Sequence, residues 1–165
     1  DYEVKVRAQE KEKRKVMGVR QEIFRKFWAQ LIEKSKSHSQ LLANRSTTPD
    51  QWLSAGIGRS GFSLAITLIQ HEGQVECYFR LPGGEEKSAA VFKELLSQKD
   101  EIEAKFGEPL DWQELPGRQG CRICKELPGG WKSPESDWPE MQDRLIDALI
   151  RLEKALKQPI QELKY

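Results

Sequence analysis

The chain has 165 residues, of which 38% are hydrophobic and 32% charged, and its mean hydropathy is -0.69. A chain of this length can bury a core without disulfide bonds or a metal, and its five tryptophans argue against disorder. An odd count of three cysteines is atypical of a secreted disulfide framework and favours a reducing compartment. Since there is no signal region and no apolar run long enough to cross a bilayer, we expect a soluble, cytoplasmic protein without a membrane partner.

Positive charge is concentrated at the start of the chain. Residues 1–36 contain eleven Lys or Arg against six Asp or Glu, and the remainder has an acidic excess. A basic arm on an acidic body is compatible with a nucleic-acid contact, although a solvated, charged helix is the plainer interpretation. Because the sequence begins with Asp rather than Met, we expect residues 1–15 to be a linker or the tail of a missing upstream region, and residues 16–165 to form one α/β domain.

The first half of the sequence predicts a strand, a helix and a meander. Apolar and charged residues alternate at 2–6, which predicts a short strand. The helical spacing of apolar residues then predicts a long amphipathic helix to about Lys36. Gly18 is the expected break between a solvated part of this helix and a packed part. After a polar loop, period-two alternation predicts three strands. These strands are expected at 52–55, 62–70 and 75–81.

The second half predicts a helix, a β-hairpin and a final helix. Gly107 stands where a left-handed cap would end the first of these helices. Asp137 and Glu140 have capping-box spacing at the start of the last helix, which Pro159 is expected to close. The expected ranges are 85–106 for the helix and 110–115 and 121–127 for the strands.

These elements together predict an α+β protein. Tight turns between consecutive strands imply antiparallel pairing, and helices with one apolar stripe each pack on a sheet. We therefore predict a two-layer sandwich with an antiparallel sheet of about five strands and the helices on one face. The order is helix, three-strand meander, helix, β-hairpin, helix.

A glycine-rich segment at 56–61 invites comparison with phosphate-binding loops. Such loops need a helix directly after them, whereas a strand is predicted here, and the Gly-Lys-Ser/Thr signature is absent. The two glycines that flank Arg59 and Ser60 favour a hairpin turn with positive φ. This turn would present Arg59 to an anionic partner.

Further basic residues are candidate contacts in the second half. Arg118 and Arg122 lie in and just after the second predicted hairpin turn. Trp112, on the preceding strand, either stacks on a nucleic-acid base or belongs to the core. The full set of candidate binding residues is Arg59, Ser60, Lys99, Arg118 and Arg122.

Two motifs are typical of metal or redox chemistry. Cys121 and Cys124 have Cys-x-x-Cys spacing, but residues three apart in a strand point to opposite faces and no second ligand pair is near in sequence. The carboxylates from Asp100 to Glu108 either hold a divalent cation or form the solvated side of a helix. We expect no catalytic residue, metal or cofactor; the alternative is a metal-dependent, nuclease-like hydrolase that uses this acidic cluster.

Several stretches together carry a family resemblance. They are Phe24-Arg-Lys-Phe-Trp28, Trp52-Leu-Ser, Gly58-Arg-Ser-Gly-Phe-Ser-Leu64, Phe92-Lys-Glu-Leu-Leu-Ser-Gln-Lys99, Glu101-Ile-Glu103, Phe106-Gly-Glu108, Leu110-Asp-Trp-Gln-Glu-Leu-Pro116, Arg122-Ile123 and Trp138-Pro139. With these motifs the chain resembles an uncharacterised prokaryotic family, domain of unknown function 4268. The resemblance implies a module that in longer proteins often follows a region similar to a PD-(D/E)XK nuclease, and it carries over no catalytic residues.

We therefore predict a non-catalytic accessory or interaction module of a nuclease-like prokaryotic protein, in the setting of restriction or defence against foreign DNA. It would bind nucleic acid or a protein partner through exposed loops. The expected partners are DNA and an upstream nuclease-like domain. Self-association through the first helix is a further expectation.

Overall fold

A computed structural model describes residues 1–115 and 120–165. Its elements are α1 (Tyr2–Ser35), β1 (Trp52–Gly56), β2 (Phe62–Leu68), β3 (Glu72–Arg80), α2 (Glu85–Leu96), α3 (Lys99–Phe106), β4 (Asp111–Glu114), β5 (Gly120–Pro128), a 3₁₀ turn (Glu135–Asp137) and α4 (Trp138–Gln161). None of the helices in these ranges has the length and apolar character that a membrane span requires.

The five strands form one antiparallel sheet in the order β1-β2-β3-β5-β4. Burial alternates along β2, where Phe62, Leu64, Ile66 and Leu68 are buried on one face. Helix α4 packs across β2, β3 and β5, and α2 packs on β3, β4 and β5. The helices thus cover one face of the sheet, and the predicted two-layer α+β sandwich is confirmed. We call the other side of the sheet the open face.

Helix α1 packs on α4. The ring of Phe27 meets that of Trp138 at 5.2 Å, edge to face. The indole N–H of the fully buried Trp28 donates to the carbonyl oxygen of Asp50 at 2.9 Å, which fixes the loop before β1. Burial on α1 begins at Phe24, so the C-terminal part of this helix belongs to the core.

The start of α1 corrects two predictions. Residues 2–6 form the first turn of a helix, not a strand, and Asp1 caps it by accepting the N–H of Glu3 at 3.1 Å. The helix also continues through Gly18 without a break. An alternation of apolar and charged residues over only five positions is a weak strand signal when a run of strong helix formers follows it. One glycine inside a helix lowers the stability of the helix by only about 1 kcal/mol.

Residues 2–22 of α1 are called the arm below. Every residue of the arm is exposed except Val6 and Gly18, which are half-buried. The predicted solvated extension is therefore present, although it is continuous with the packed part of the helix.

Other element ends also differ from expectation. The predicted helix over 85–106 is two helices, because the hydroxyl of Ser97 donates to the carbonyl oxygen of Glu94 at 2.6 Å and α2 ends there. Gly107 adopts the expected left-handed conformation, with φ of 97°. At α4 the Asp137 side chain makes no capping bond, since a 3₁₀ turn precedes the helix. Pro159 lies within α4 rather than beyond its end.

Candidate functional site

Arg59 lies in the β1–β2 hairpin, as predicted, between Gly58 and Gly61 with φ of 88° and 90°. Its guanidinium turns towards its own chain: Nη1 donates to the carbonyl oxygens of Ile160 at 2.6 Å and Leu163 at 2.8 Å. The carbonyl groups in the last turn of a helix lack intrahelical partners and carry partial negative charge. Arg59 therefore acts as a side-chain cap for the C-terminal end of α4.

Two exposed residues, Tyr165 and Ser60, lie next to Arg59. The ring of Tyr165 lies 4.2 Å from the Arg59 guanidinium carbon, measured to the ring centroid. Ser60 remains exposed at the hairpin tip. The cation at this tip is thus half-buried between α4 and Tyr165, and a binding role for Arg59 would have to compete with these contacts.

Arg122 lies on the open face, in β5. Its Nε and Nη2 atoms both donate to Oε1 of Gln113, at 2.9 and 2.5 Å, and its Nε is 3.8 Å from a carboxylate oxygen of Glu76. Burial raises the pKa of Glu76, and the positive charge of Arg122 opposes that shift. Arg122 is therefore the centre of a polar network that crosses three strands.

The other candidate contacts do not join Arg122. Lys99 is exposed in the first turn of α3, within the helical layer on the opposite side of the sheet. Trp112 faces that layer too: its ring packs on Phe92 at 6.2 Å, so the core interpretation of this tryptophan is confirmed. Arg118 lies outside the described residues. The candidate residues that can be located thus lie in three separate places.

The carboxylates from Asp100 to Glu108 do not converge. Oε2 of Glu103 accepts the N–H of Leu110 at 2.8 Å and the indole N–H of Trp112 at 3.0 Å, which ties α3 to β4. Oε2 of Glu108 instead accepts from Arg151 at 3.2 Å. Over residues 1–115 and 120–165 there is no group of three His, Cys, Asp or Glu that could hold a metal. The hydrolase alternative depends on such a group in this cluster.

The Cys-x-x-Cys motif behaves as its strand position predicts. The thiol of Cys121 lies 3.7 Å from the carbonyl oxygen of Ser88 in the helical layer, whereas that of Cys124 lies 3.7 Å from Nε2 of Gln113 on the open face. Burial, with nearby carboxylates, raises the pKa of Cys121 to about 11 and that of Cys124 to about 12. Both side chains are therefore neutral thiols that cannot act together on a metal or in a redox exchange.

Unpaired positive charge is concentrated on the arm. It carries seven Lys or Arg against four Glu. Within the described residues, six of these cations take part in no ion pair; they are Lys5, Arg7, Lys11, Lys13, Arg14 and Lys15. The seventh, Arg20, stacks on Trp131 with 4.4 Å between its guanidinium carbon and the ring centroid. The arm is thus the part of the molecule most suited to an anionic partner.

Four exposed cations share one side of α1, which the sequence prediction missed. At 100° per residue, Arg7, Lys11, Arg14 and Arg25 fall within about 60° of each other around the helix axis. We call these four residues the basic stripe. The i, i+4, i+7 spacing of Arg7, Lys11 and Arg14 was available in the sequence within the predicted helix, whereas the predicted break at Gly18 separated them from Arg25.

Comparison with known proteins gives limited further information. No curated protein matches the chain. Among solved structures, the crystal structure of YbjN from E. coli, a proposed transcription regulator, is similar, with 15% sequence identity, a TM-score of 0.33, and coverage of 66% of this chain and 78% of that chain. A similarity this weak carries no argument about function.

A family model, by contrast, matches most of the chain, over residues 23–160. The match begins within one residue of Phe24, where burial on α1 begins, and ends in the last turn of α4. It therefore corresponds to the packed body and leaves out the arm. This chain belongs to the DUF4268 family, a domain of unknown function.

Proposed function

We propose that this chain is a non-catalytic module that binds nucleic acid, and that the basic stripe of α1 contacts the phosphate backbone. The observation that carries the proposal is the set of exposed, unpaired cations along one side of a projecting helix. Phosphate contacts supply most non-specific affinity for nucleic acid and require only correctly spaced positive charge. In a longer protein, the module would hold DNA for a nuclease-like region.

Several cations of the body are less available for such a contact. Lys26 is paired with Glu135 at 2.9 Å, and Lys34 is paired with Asp143 at 2.8 Å. Arg151 is paired with Asp147 at 2.9 Å. An incoming phosphate would have to displace these carboxylates, whereas on the arm it meets free side chains.

The dimensions of the basic stripe suit a duplex. At a rise of 1.5 Å per residue, Arg7 and Arg25 are about 27 Å apart along the axis. This distance corresponds to roughly eight base pairs of B-form DNA, at about 3.4 Å per base pair along one strand. The basic stripe is therefore long enough to contact phosphates at more than one point along a duplex.

The test is a fluorescence-anisotropy titration with mixed-sequence single- and double-stranded DNA and RNA, at low salt and again at higher salt. The variant Arg7→Ala/Lys11→Ala/Arg14→Ala should bind more weakly, and the slope of log K against log salt should fall by about 2 to 3, close to 0.9 per lost contact. A matched control, Lys93→Ala/Lys154→Ala/Lys157→Ala, removes the same charge from exposed positions of the body.

The proposal fails if the wild-type chain shows no salt-sensitive binding at low salt. It also fails if the body variant loses as much affinity as the stripe variant, because net charge alone would then explain the result. Lys99→Ala and Arg118→Ala test secondary contacts at two further sequence-predicted positions.

A further inference from the structure

The open face carries a groove of about 710 Å³ that residues of all five strands line. Over β1 and β2 its floor is made of small residues, among them Ser54 and Ala65, which lie opposite each other in register. Trp52, whose side chain is 50% exposed, stands at one end of this floor. Strands β1 and β2 with their flanks give a floor about 10 Å wide, which is close to the diameter of an α-helix.

The charge around the groove is mainly negative. The open face presents four carboxylates against two arginines; they are Glu72, Glu76, Asp111 and Glu126, with Arg80 and Arg122. A hydrogen bond with Glu72, together with the charge of that residue, raises the pKa of Glu126. Two carboxyl groups held this close repel each other when both are ionised. A basic occupant would relieve that repulsion.

The arm has the properties that this groove requires. Its exposed apolar side chains include Tyr2 at 80%, Val4 at 63% and Val19 at 58%. On the helix surface Val4, Ala8, Lys11 and Lys15 form one row at i, i+4, i+7 and i+11, in which two small or apolar residues are followed by two lysines.

The arm cannot reach the open face of its own molecule. Helix α1 is unbroken from Tyr2 to Ser35, and its C-terminal part is fixed on α4, in the layer on the other side of the sheet. An occupant with the chemistry of the arm must therefore come from a second copy. We propose that the arm of one copy lies in the open-face groove of another, reciprocally, with Lys11 and Lys15 beside the carboxylates of β3 and β5.

The test is the mass of the full chain by light scattering after gel filtration, without nucleic acid, so it does not rest on the proposed function. We expect a dimer whose dissociation constant rises at least about tenfold at high salt. Ala65→Arg places a large side chain on the groove floor, and Lys11→Glu/Lys15→Glu reverses the sign of two charges on the arm. Each variant should be a monomer. Because Ala65 is half-buried, Ser54→Arg at an exposed position of the same floor is a second groove variant.

Mixing provides a control for misfolding. Ala65→Arg retains an intact arm and Lys11→Glu/Lys15→Glu retains an intact groove, so an equimolar mixture should regain one contact and form a heterodimer. The body variant Lys93→Glu/Lys154→Glu should remain a dimer. A monomeric wild-type chain, a dimer that survives both types of substitution, or a mixture that stays monomeric would each overturn the proposal.

Discussion

Single charged side chains connect separate elements of this fold. Arg59 joins the first hairpin to the end of α4, and Glu103 joins α3 to β4. Both act on backbone groups that their own elements cannot satisfy, which is why a surface-like residue becomes structural. Each contact can be tested by one substitution with a neighbouring control.

Arg59→Ala should lower the free energy of unfolding by roughly 1.5–3 kcal/mol, the range for hydrogen bonds made by charged groups. The carbonyl oxygen of Leu163 would lose this donor, and that of Ile160 would retain the N–H of Leu163 at 3.3 Å. Urea denaturation followed by circular dichroism measures the change. Ser60→Ala, at the exposed neighbouring position, should stay within about 0.5 kcal/mol. Equal effects at the two positions would show that the clamp contributes nothing to stability.

Glu103 makes a pH-dependent contribution to the stability of the fold. Partial burial acts to raise its pKa, but the N–H groups of Leu110 and Trp112 outweigh burial and hold the pKa below the ordinary value of 4.5. A carboxylate with a lowered pKa in the folded state stabilises the fold above the unfolded pKa, and this stability is lost as the pH falls through the folded value.

The wild type should therefore exceed Glu103→Gln in stability by roughly 1 kcal/mol at neutral pH, a value reduced for solvent exposure. This difference in stability between the wild type and Glu103→Gln should decrease as the pH falls below 4.5. Thermal melts across this range measure it, with Glu101→Gln on the same helix as the control. A gap that is constant with pH would mean that the charge on Glu103 has no role.

At the scale of elements, periodic segments were predictable and their ends were not. Period two identified β2 and the antiparallel meander, because alternate residues of these strands face the core. The range 85–106 was wrongly predicted as one helix, since Ile102 continues the apolar spacing of Leu95 across the turn at Ser97. Local side-chain bonds of this kind are not visible in a hydrophobic pattern.

The candidate site was less predictable than the fold. A hairpin position for Arg59 followed from two glycines, but its direction depends on where a helix distant in sequence ends. Likewise, the place of Trp112 in the core depends on Phe92 and Glu103, which lie on other elements. Contacts between distant elements set the environment of such residues, so sequence spacing alone could not separate a binding role from a structural one.

The connection from β5 to α4 gives a prediction at this scale. The N–H groups of Trp131 and Lys132 donate to the carbonyl oxygens of Ile69 and Gln70, at 2.8 and 3.0 Å. At Gly130 an added Cβ would collide with the backbone of residues 69–70, whereas at Gly56 it would enter open space.

Gly130→Ala should therefore cost roughly 1–3 kcal/mol of stability by forcing the two segments apart. Gly56→Ala should change stability by no more than about 0.5 kcal/mol. Chemical denaturation of both variants gives the comparison. Similar values for the two would contradict the close approach of these backbones.

At the scale of the whole molecule, charge divides between two surfaces. The arm is basic and exposed, and the open face has an excess of carboxylates. Lys11 belongs to both the basic stripe and the row proposed for the groove of a second copy, so the two proposed contacts would compete. Added DNA should then lower the dimer fraction, and a dimer fraction unaffected by saturating DNA would show that the contacts use different surfaces.

The strand order has a consequence for the rate of folding. In β1-β2-β3-β5-β4, the β3–β5 pair is the one that brings together strands not consecutive in the chain, with α2, α3 and β4 between them. Closing that long loop has the largest entropy cost of any strand pairing here, and non-local pairing slows folding. In stopped-flow refolding, Val75→Ala in β3 should mainly slow folding, whereas Leu53→Ala in the edge strand β1 should mainly speed unfolding. The reverse assignment of the two rates would place the folding nucleus in the first hairpin instead.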